Sequence, residues 1–196
     1  MMSSRKKIAV PLALSLGLWA QFGHAAAQTY QLNPEHTSVV MSWSHFGFSH
    51  PTADISQVSG TLIFDSASPE KAKVEVKLPL DTLDTHVDAL TKEFKAGEYF
   101  NTGTYPEATF RSTRVIAKGG HRYDVQGELT LKGVTRPVTL HATLNKQGEH
   151  PMLKKQAIGF DATAIVKRSE FGLAQYIPAV SDDITLTIST EAYADK

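Results

Sequence analysis

Alternation of apolar and polar residues is clearest over residues 123–144. The apolar residues fall on odd positions from Tyr123 to Leu131 and on even positions from Val138 to Leu144. A period of two is typical of a strand with one buried face. Because a glycine-containing break separates the two runs, they predict a β-hairpin. One hairpin cannot bury its own apolar face, so other strands must complete an enclosed core.

The same alternation recurs along most of the chain after Tyr30. It predicts six further strands, within residues 36–46, 59–64, 73–78, 108–112, 158–166 and 184–188. With the hairpin this makes about eight short strands separated by turn residues. Such regular spacing favours a closed barrel or a sandwich.

One stretch has helical spacing instead. Val87, Leu90 and Phe94 recur every three or four residues and predict a short helix over 86–96, ended by Gly97. A single amphipathic helix among strands most simply covers one open end of a barrel.

The first 27 residues follow a different pattern. A basic segment at 5–7 precedes an uncharged apolar run at 8–20, and three alanines end at Ala27. This order predicts a secretory signal peptide over residues 1–27, cleaved near Ala27. The apolar run is shorter than the about 20 residues that span a bilayer. The exported domain then covers residues 28–196.

The exported domain has little net charge. The signal segment holds three of the 20 Lys and Arg residues and none of the 20 Asp and Glu residues, which leaves 17 minus 20, or −3. This balance indicates neither nucleic acid nor an anionic membrane surface as a partner. The chain has no cysteine, so its core must be stable without disulfides.

Motifs for catalysis or metal binding are weak. The sequence has no Gly-x-Ser-x-Gly elbow, no phosphate-binding glycine loop and no cysteine nucleophile. Seven histidines follow the signal segment, but they form no compact ligand pair. The pair His86 and Asp88 falls on the predicted helix, where solvent exposure accounts for it. We therefore expect no enzyme activity and no metal.

Several motifs occur in an order found in one family. They are HTS at 36–38, GEYFN at 97–101, YPEATF at 105–110, GELTLKGVTRPVTL at 127–140 and RSEFG at 168–172. This ordered set resembles the YceI-like, lipid- or polyisoprenoid-binding periplasmic proteins. The resemblance implies an all-β, mainly antiparallel fold: an extended, lipocalin-like eight-stranded β-barrel with a short capping helix. It also implies a periplasmic, non-catalytic protein.

The resemblance further implies a ligand in place of a cofactor. The barrel would hold a polyisoprenoid, an isoprenoid quinone or a similar long-chain lipid, as a carrier or a store. A transient contact with a membrane or membrane protein for loading and a homodimer are left open as partners. Two other functions are also open: a stress-response interaction module with a packed barrel, and a histidine-dependent metal carrier.

The predicted cavity wall consists of the alternate strand residues that would point into the barrel, here called residues of inward parity, together with apolar residues on and near the helix. Its residues are Val39, Met41, Trp43, Phe64, Leu90, Phe94, Phe100, Phe110, Leu129, Leu140, Phe160, Phe171 and Tyr176. Small inward residues, such as Gly60, Gly127, Ala142 and Ala162, favour open space beside the rings. A packed interior of mixed side-chain sizes is the alternative.

Three residues are candidates for binding a polar head group. His45 ends a strand, where it either donates to a head group or serves as a core histidine. Arg136 has inward parity at the start of a strand, so it either reaches the head group or points into solvent. Arg168 either binds the head group or pairs with Glu170 or Asp182. We expect Arg168→Ala to weaken binding with little loss of folding.

Overall fold

The computed structural model describes residues 27–195. Within that range the chain forms ten strands and one α-helix. The strands are β1 (Gln28–Leu32), β2 (Ser38–Ser42), β3 (Thr52–Ile55), β4 (Ser59–Phe64), β5 (Lys73–Pro79), β6 (Glu107–Gly119), β7 (Arg122–Leu131), β8 (Val134–Glu149), β9 (Gln156–Lys167) and β10 (Asp183–Ala194). The helix α1 (Asp88–Lys95) lies between β5 and β6. Of the predicted signal peptide, only Ala27 lies within the described residues.

Short 3₁₀ turns connect some of these elements. They lie at Pro69–Lys71, Leu80–Thr82 and Arg168–Phe171. Among residues 27–195, none of the helices has the length and apolar character required to cross a bilayer.

Strand β10 closes the barrel. One edge of β10 pairs with β9 over residues 183–193. On its other edge, residues 192–194 pair with β1 and residues 185–189 pair with β2. Because β1 pairs in turn with β4, eight antiparallel strands form a closed ring in the order β1-β4-β5-β6-β7-β8-β9-β10. The predicted eight-stranded antiparallel barrel is confirmed.

The wall is extended at the end where β10 begins. There β2 pairs with β3, and two backbone hydrogen bonds between Asp54 and Asp84, of 2.8 and 3.0 Å, join β3 to the segment after β5. Additional strands widen a barrel. We call this wider end the mouth. The pattern did not predict β1 or β3.

The central hairpin forms as the alternation predicts. Leu131 pairs with Val134 across a two-residue turn in which Lys132 and Gly133 have φ angles of 51° and 75°. Two positive φ angles are the signature of a type I′ turn, whose twist matches that of the flanking strands.

Helix α1 is shorter than the helix predicted over residues 86–96. His86 has a φ of 62°, which no α-helical residue adopts, and its N–H donates to Asp84 Oδ1 at 2.8 Å. Helix α1 therefore begins two residues later, at Asp88, and ends at Lys95.

Aromatic rings fill the end of the barrel opposite the mouth. Phe64, Tyr123 and Phe160 pack edge to face, with centroids 5.7 to 6.2 Å apart. Tyr30 is fully buried beside them, and its hydroxyl accepts a hydrogen bond from Gln147 Nε2 at 2.9 Å. A second apolar cluster lies nearer the mouth and includes Val39 and Met41 of β2, with Leu90 and Phe94 of α1 packed against it.

Neighbouring groups of the protein occupy the space beside the inward glycines. A Cβ at Gly127 would lie 2.4 Å from Cζ of Phe110, so the ring of Phe110 occupies the space above this glycine. A Cβ at Gly60 would lie 2.2 Å from the carbonyl oxygen of Glu75. The expectation that these two glycines leave room for a ligand is therefore wrong.

Replacement of Gly127 by alanine tests this packing. The added methyl group would overlap Phe110 and the Arg111 carbonyl, so Gly127→Ala should lower the free energy of unfolding by about 1–3 kcal/mol. The control is Gly97→Ala, whose Cβ would meet nothing within 4 Å, and which should change stability by less than about 0.5 kcal/mol. Equal urea midpoints for the two variants would contradict the packing.

Candidate ligand cavity

An inner cavity of about 150 Å³ lies inside the barrel. Six of the predicted wall residues line it: Val39, Phe64, Phe110, Leu129, Leu140 and Phe160. Its only lining hydroxyls are those of Tyr123 and of Thr37 and Thr190, whose Oγ1 atoms hydrogen-bond to each other at 2.9 Å. This lining suits hydrocarbon, because it offers almost no free polar group to bind water or a charged ligand.

A second, larger cavity opens at the mouth. The mouth cavity has a volume of about 730 Å³. Six other predicted wall residues line it: Met41, Trp43, Leu90, Phe94, Phe100 and Tyr176. Twelve of the thirteen predicted wall residues therefore border one cavity or the other.

The two cavities follow one another along the same strands. On β2, Val39 lines the inner cavity and the next inward residue, Met41, lines the mouth cavity. On β10, Leu186 lines the inner cavity and Ile184 lines the mouth cavity. The two spaces therefore lie next to each other along β2 and β10, and the mouth side of this boundary includes Met41, whose side chain is highly adaptable.

The floor of the mouth cavity is formed by aromatic rings on α1 and next to it. The Phe94 ring lies 5.5 Å from Trp43 and stacks on Tyr99 at 5.3 Å, measured between ring centroids. Burial, reinforced by the nearby Glu93 carboxylate, raises the pKa of Tyr99 to about 12. The Tyr99 phenol therefore stays neutral, and Glu93 is positioned to accept its hydrogen bond.

His45 lies at the rim of the mouth cavity. Its side chain is exposed and its ring packs edge to face on Phe46 at 4.7 Å. Its backbone N–H donates to Ser49 at 2.9 Å. The core-histidine alternative is therefore wrong, and a contact between His45 and a ligand head group stays a prediction.

Arg168 also borders the mouth cavity, but its guanidinium is bound by the protein backbone. It donates to the carbonyl oxygens of Ser181 at 2.8 Å, Gln175 at 2.7 Å and Val180 at 2.9 Å, and also to that of Leu173. Asp182 instead accepts hydrogen bonds from the backbone N–H and the hydroxyl of Ser169, both at 2.8 Å. Arg168 thus holds the 173–181 loop in place, and the expected ion pair with Glu170 or Asp182 is not formed.

Arg136 and Phe171 line neither cavity, because β8 and β9 separate towards the mouth. Their pairing runs from Glu149 only as far as His141, and the separated part of β8 contains Pro137, which has no N–H. Arg136 lies on this part and is exposed, with Nη1 donating to the Thr135 carbonyl at 3.0 Å. Phe171 is 1% exposed, in the turn that packs against β8.

One polar residue at the mouth was not predicted. Gln175 lines the mouth cavity, and its Nε2 donates to the Glu98 carbonyl at 2.7 Å. In the part of the chain that the structure describes, its Oε1 is the one buried side-chain oxygen or nitrogen without a hydrogen-bond partner. The surrounding loop has no periodicity, so no sequence signal pointed to Gln175.

A metal site requires several histidine or carboxylate side chains close together. Over residues 27–195 such side chains form no group of three or more that could hold a metal ion. The metal-carrier alternative thus has no cluster of ligands in this range to support it.

Comparisons with known proteins agree with this architecture. The model of the YceI-like domain matches residues 30–192. The protein YceI of Escherichia coli is 36% identical over 176 residues, which covers 89% of this chain and 91% of that protein. The chain belongs to the YceI-like family.

Solved structures support the barrel. BcnA of Burkholderia cenocepacia superposes with a TM-score of 0.74 at 21% identity, over 82% of this chain and 98% of that one. A polyisoprenoid binding domain from Saccharophagus degradans superposes with a TM-score of 0.65 at 16% identity, over 86% of this chain and 99% of that one. At these identities the likeness shows the fold alone.

The role of Arg168 in this YceI-like barrel can be tested with a matched arginine. Arg168→Ala removes a charged donor from four backbone carbonyls, so it should lower the free energy of unfolding by about 2–4 kcal/mol. This replaces the expectation from sequence that the change would cost little stability, because the guanidinium is bound by the protein itself. Arg136→Ala removes an exposed side chain and should change stability by less than about 0.5 kcal/mol. Urea titrations that give both variants the wild-type midpoint would contradict the structural role of Arg168.

Proposed function

We propose that this protein binds the hydrocarbon chain of an isoprenoid or a similar long-chain lipid inside the barrel, without catalysis. The apolar end lies in the inner cavity, towards Tyr30, and the polar end lies in the mouth cavity. The observation that carries this proposal is the inner cavity, whose two threonine hydroxyls already satisfy each other. A polar ligand would find few partners there, because Tyr123 offers the one remaining hydroxyl of the described lining.

The sizes of the two cavities bear on the length of the ligand. An apolar cavity of about 150 Å³ is known to hold a molecule the size of benzene. A longer chain must therefore fill the inner cavity and continue past Met41 and Ile184 into the mouth cavity. Rotation of the Met41 side chain would join the two spaces into one tunnel.

The energy available from burial is sufficient. Each methylene group removed from water contributes about 0.8 kcal/mol. About ten such groups contribute about 8 kcal/mol, which corresponds to a dissociation constant of about 1 μM before the entropy of ordering the chain is subtracted. No covalent bond or metal ion is required.

The polar end of the ligand would lie among groups that can recognise it. His45 stands at the rim, the Tyr99 phenol lies on the floor, and the unpaired Oε1 of Gln175 accepts hydrogen bonds. The fixed backbone of the 173–181 loop gives Gln175 a defined position. Arg168 contributes indirectly, by holding that loop.

A neighbour in fold also supports a lipid as the ligand. The solved structure from Saccharophagus degradans is described as a polyisoprenoid binding domain, and it shares the barrel fold. We further propose that the protein is exported to the periplasm after cleavage near Ala27 and carries its lipid there. The segment at residues 1–27 supports export, through its basic start, apolar run and terminal alanines.

The alternative of a solidly packed barrel with a protein-binding exterior receives less support. The inner cavity leaves a void larger than a packed core contains, since voids in native cores rarely exceed the size of a water molecule.

Filling the inner cavity tests the proposal. Ala162 lines that cavity, and Ala162→Leu adds three carbons that would displace about three methylene groups of the ligand. At about 0.8 kcal/mol each, the affinity for a fluorescent geranylgeranyl probe should fall about fiftyfold. The protein should remain folded, because the added carbons enter an existing void.

The matched control is Thr163→Leu, one residue further along β9 on the exposed face. It should bind the probe like the wild type. Probe affinity that is unchanged by Ala162→Leu, in a delipidated protein with wild-type stability, would contradict binding in the inner cavity.

A further inference from the structure

Two loops beside the mouth contain no charged residue. They are residues 44–51, between β2 and β3, and residues 173–181, after the last 3₁₀ turn. Neither loop has an Asp, Glu, Lys or Arg, although these make up 20% of the chain. We call them the rim loops. Their only titratable side chains are His45, His50 and Tyr176.

Large apolar side chains project from this rim into solvent. Phe48 is 93% exposed and Phe46 is 54% exposed on the first loop. Tyr176 is 68% exposed and Ile177 is 36% exposed on the second. Val87, at the start of α1, is 56% exposed. Phe46, Tyr176 and Val87 also line the mouth cavity, so the apolar surface continues from the rim into the barrel.

The exposure of these rings is fixed by the backbone. The Phe46 N–H donates to Ala179 at 2.7 Å and the Ser181 N–H donates to Ser44 at 2.9 Å, which ties the two loops together. Phe46 and Tyr176 adopt φ angles of 53° and 61°, a region that residues other than glycine rarely occupy. Strained backbone of this kind persists where the surrounding structure enforces it, and such sites are commonly functional.

We propose that the rim loops dock on the surface of a lipid bilayer. The side chains that would enter the boundary between head groups and acyl chains are Phe46, Phe48, Tyr176 and Ile177. Aromatic and aliphatic side chains are favoured in this boundary, whereas buried charges are costly. The mouth would then open directly onto the hydrocarbon. This inference rests on the proposed function, since a long-chain lipid has to enter from, or leave into, a membrane.

A bilayer fits this surface better than a protein does. The apolar rim surrounds the entrance of the mouth cavity, so a protein bound there would cover the route of the ligand. The absence of Lys and Arg from the rim loops also means that no anionic lipid is needed for attraction. Binding should therefore be insensitive to salt, which screens charges but does not weaken apolar contacts.

Sedimentation with phosphatidylcholine vesicles tests the docking. The purified protein should bind these vesicles equally well at low and high salt. Phe48→Ser should reduce the partition coefficient about tenfold, since it removes the most exposed ring of the rim. The matched control is Met152→Ser, because Met152 is 85% exposed in the β8–β9 turn, at the opposite end of the barrel. This variant should bind vesicles like the wild type.

Two further readouts separate docking from ligand binding. Phe48→Ser should bind a geranylgeranyl probe supplied from cyclodextrin with wild-type affinity, and should take it from vesicles about tenfold more slowly. Docking is overturned if the wild type does not sediment with vesicles, if binding is lost in high salt, or if Met152→Ser weakens it as much as Phe48→Ser. Vesicle binding by a protein that takes up no probe would uphold docking and overturn the proposed function.

Discussion

The two-sided pairing of β10 is the constraint on which the rest of the structure depends. Residues 192–194 meet β1 and close the ring, while residues 185–189 meet β2 and extend the wall at the mouth. A closed ring leaves no unpaired edge inside, and it turns every inward side chain towards one axis. The rings of Phe64, Tyr123 and Phe160 fill one end of that axis. Between them and the mouth the side chains leave the apolar cavities.

The long strands and the helix could be predicted because their patterns are local. The alternation over residues 123–144 and the spacing of Val87, Leu90 and Phe94 are each visible within a short stretch of sequence. The closure was not visible in the same way, since no local pattern shows that β10 has two partners on one edge. The short strand β1 was missed for a related reason, because its partner β10 lies far along the chain. Strand β3 pairs with the neighbouring β2, and its four residues are too few to show an alternation.

Inward parity predicted the cavity wall well where the strands remain paired. It failed for Arg136, because β8 leaves β9 before that position. The mouth was harder to predict, since its groups lie on loops. The binding of Arg168 to backbone carbonyls has no signature in side-chain types, and the orphan oxygen of Gln175 follows from the fold of the same loop. The pattern of side chains thus predicts which residues the barrel encloses. The conformation of the loops determines which groups lie at its entrance.

The most direct measurement is native mass spectrometry of the protein purified without detergent, followed by solvent extraction and identification of any bound molecule. The account predicts a complex with one long-chain lipid per protein molecule, which dissociates on unfolding and re-forms when the delipidated protein is given a prenyl compound. Repeated preparations that carry no lipid, together with a delipidated protein that takes up none, would contradict it.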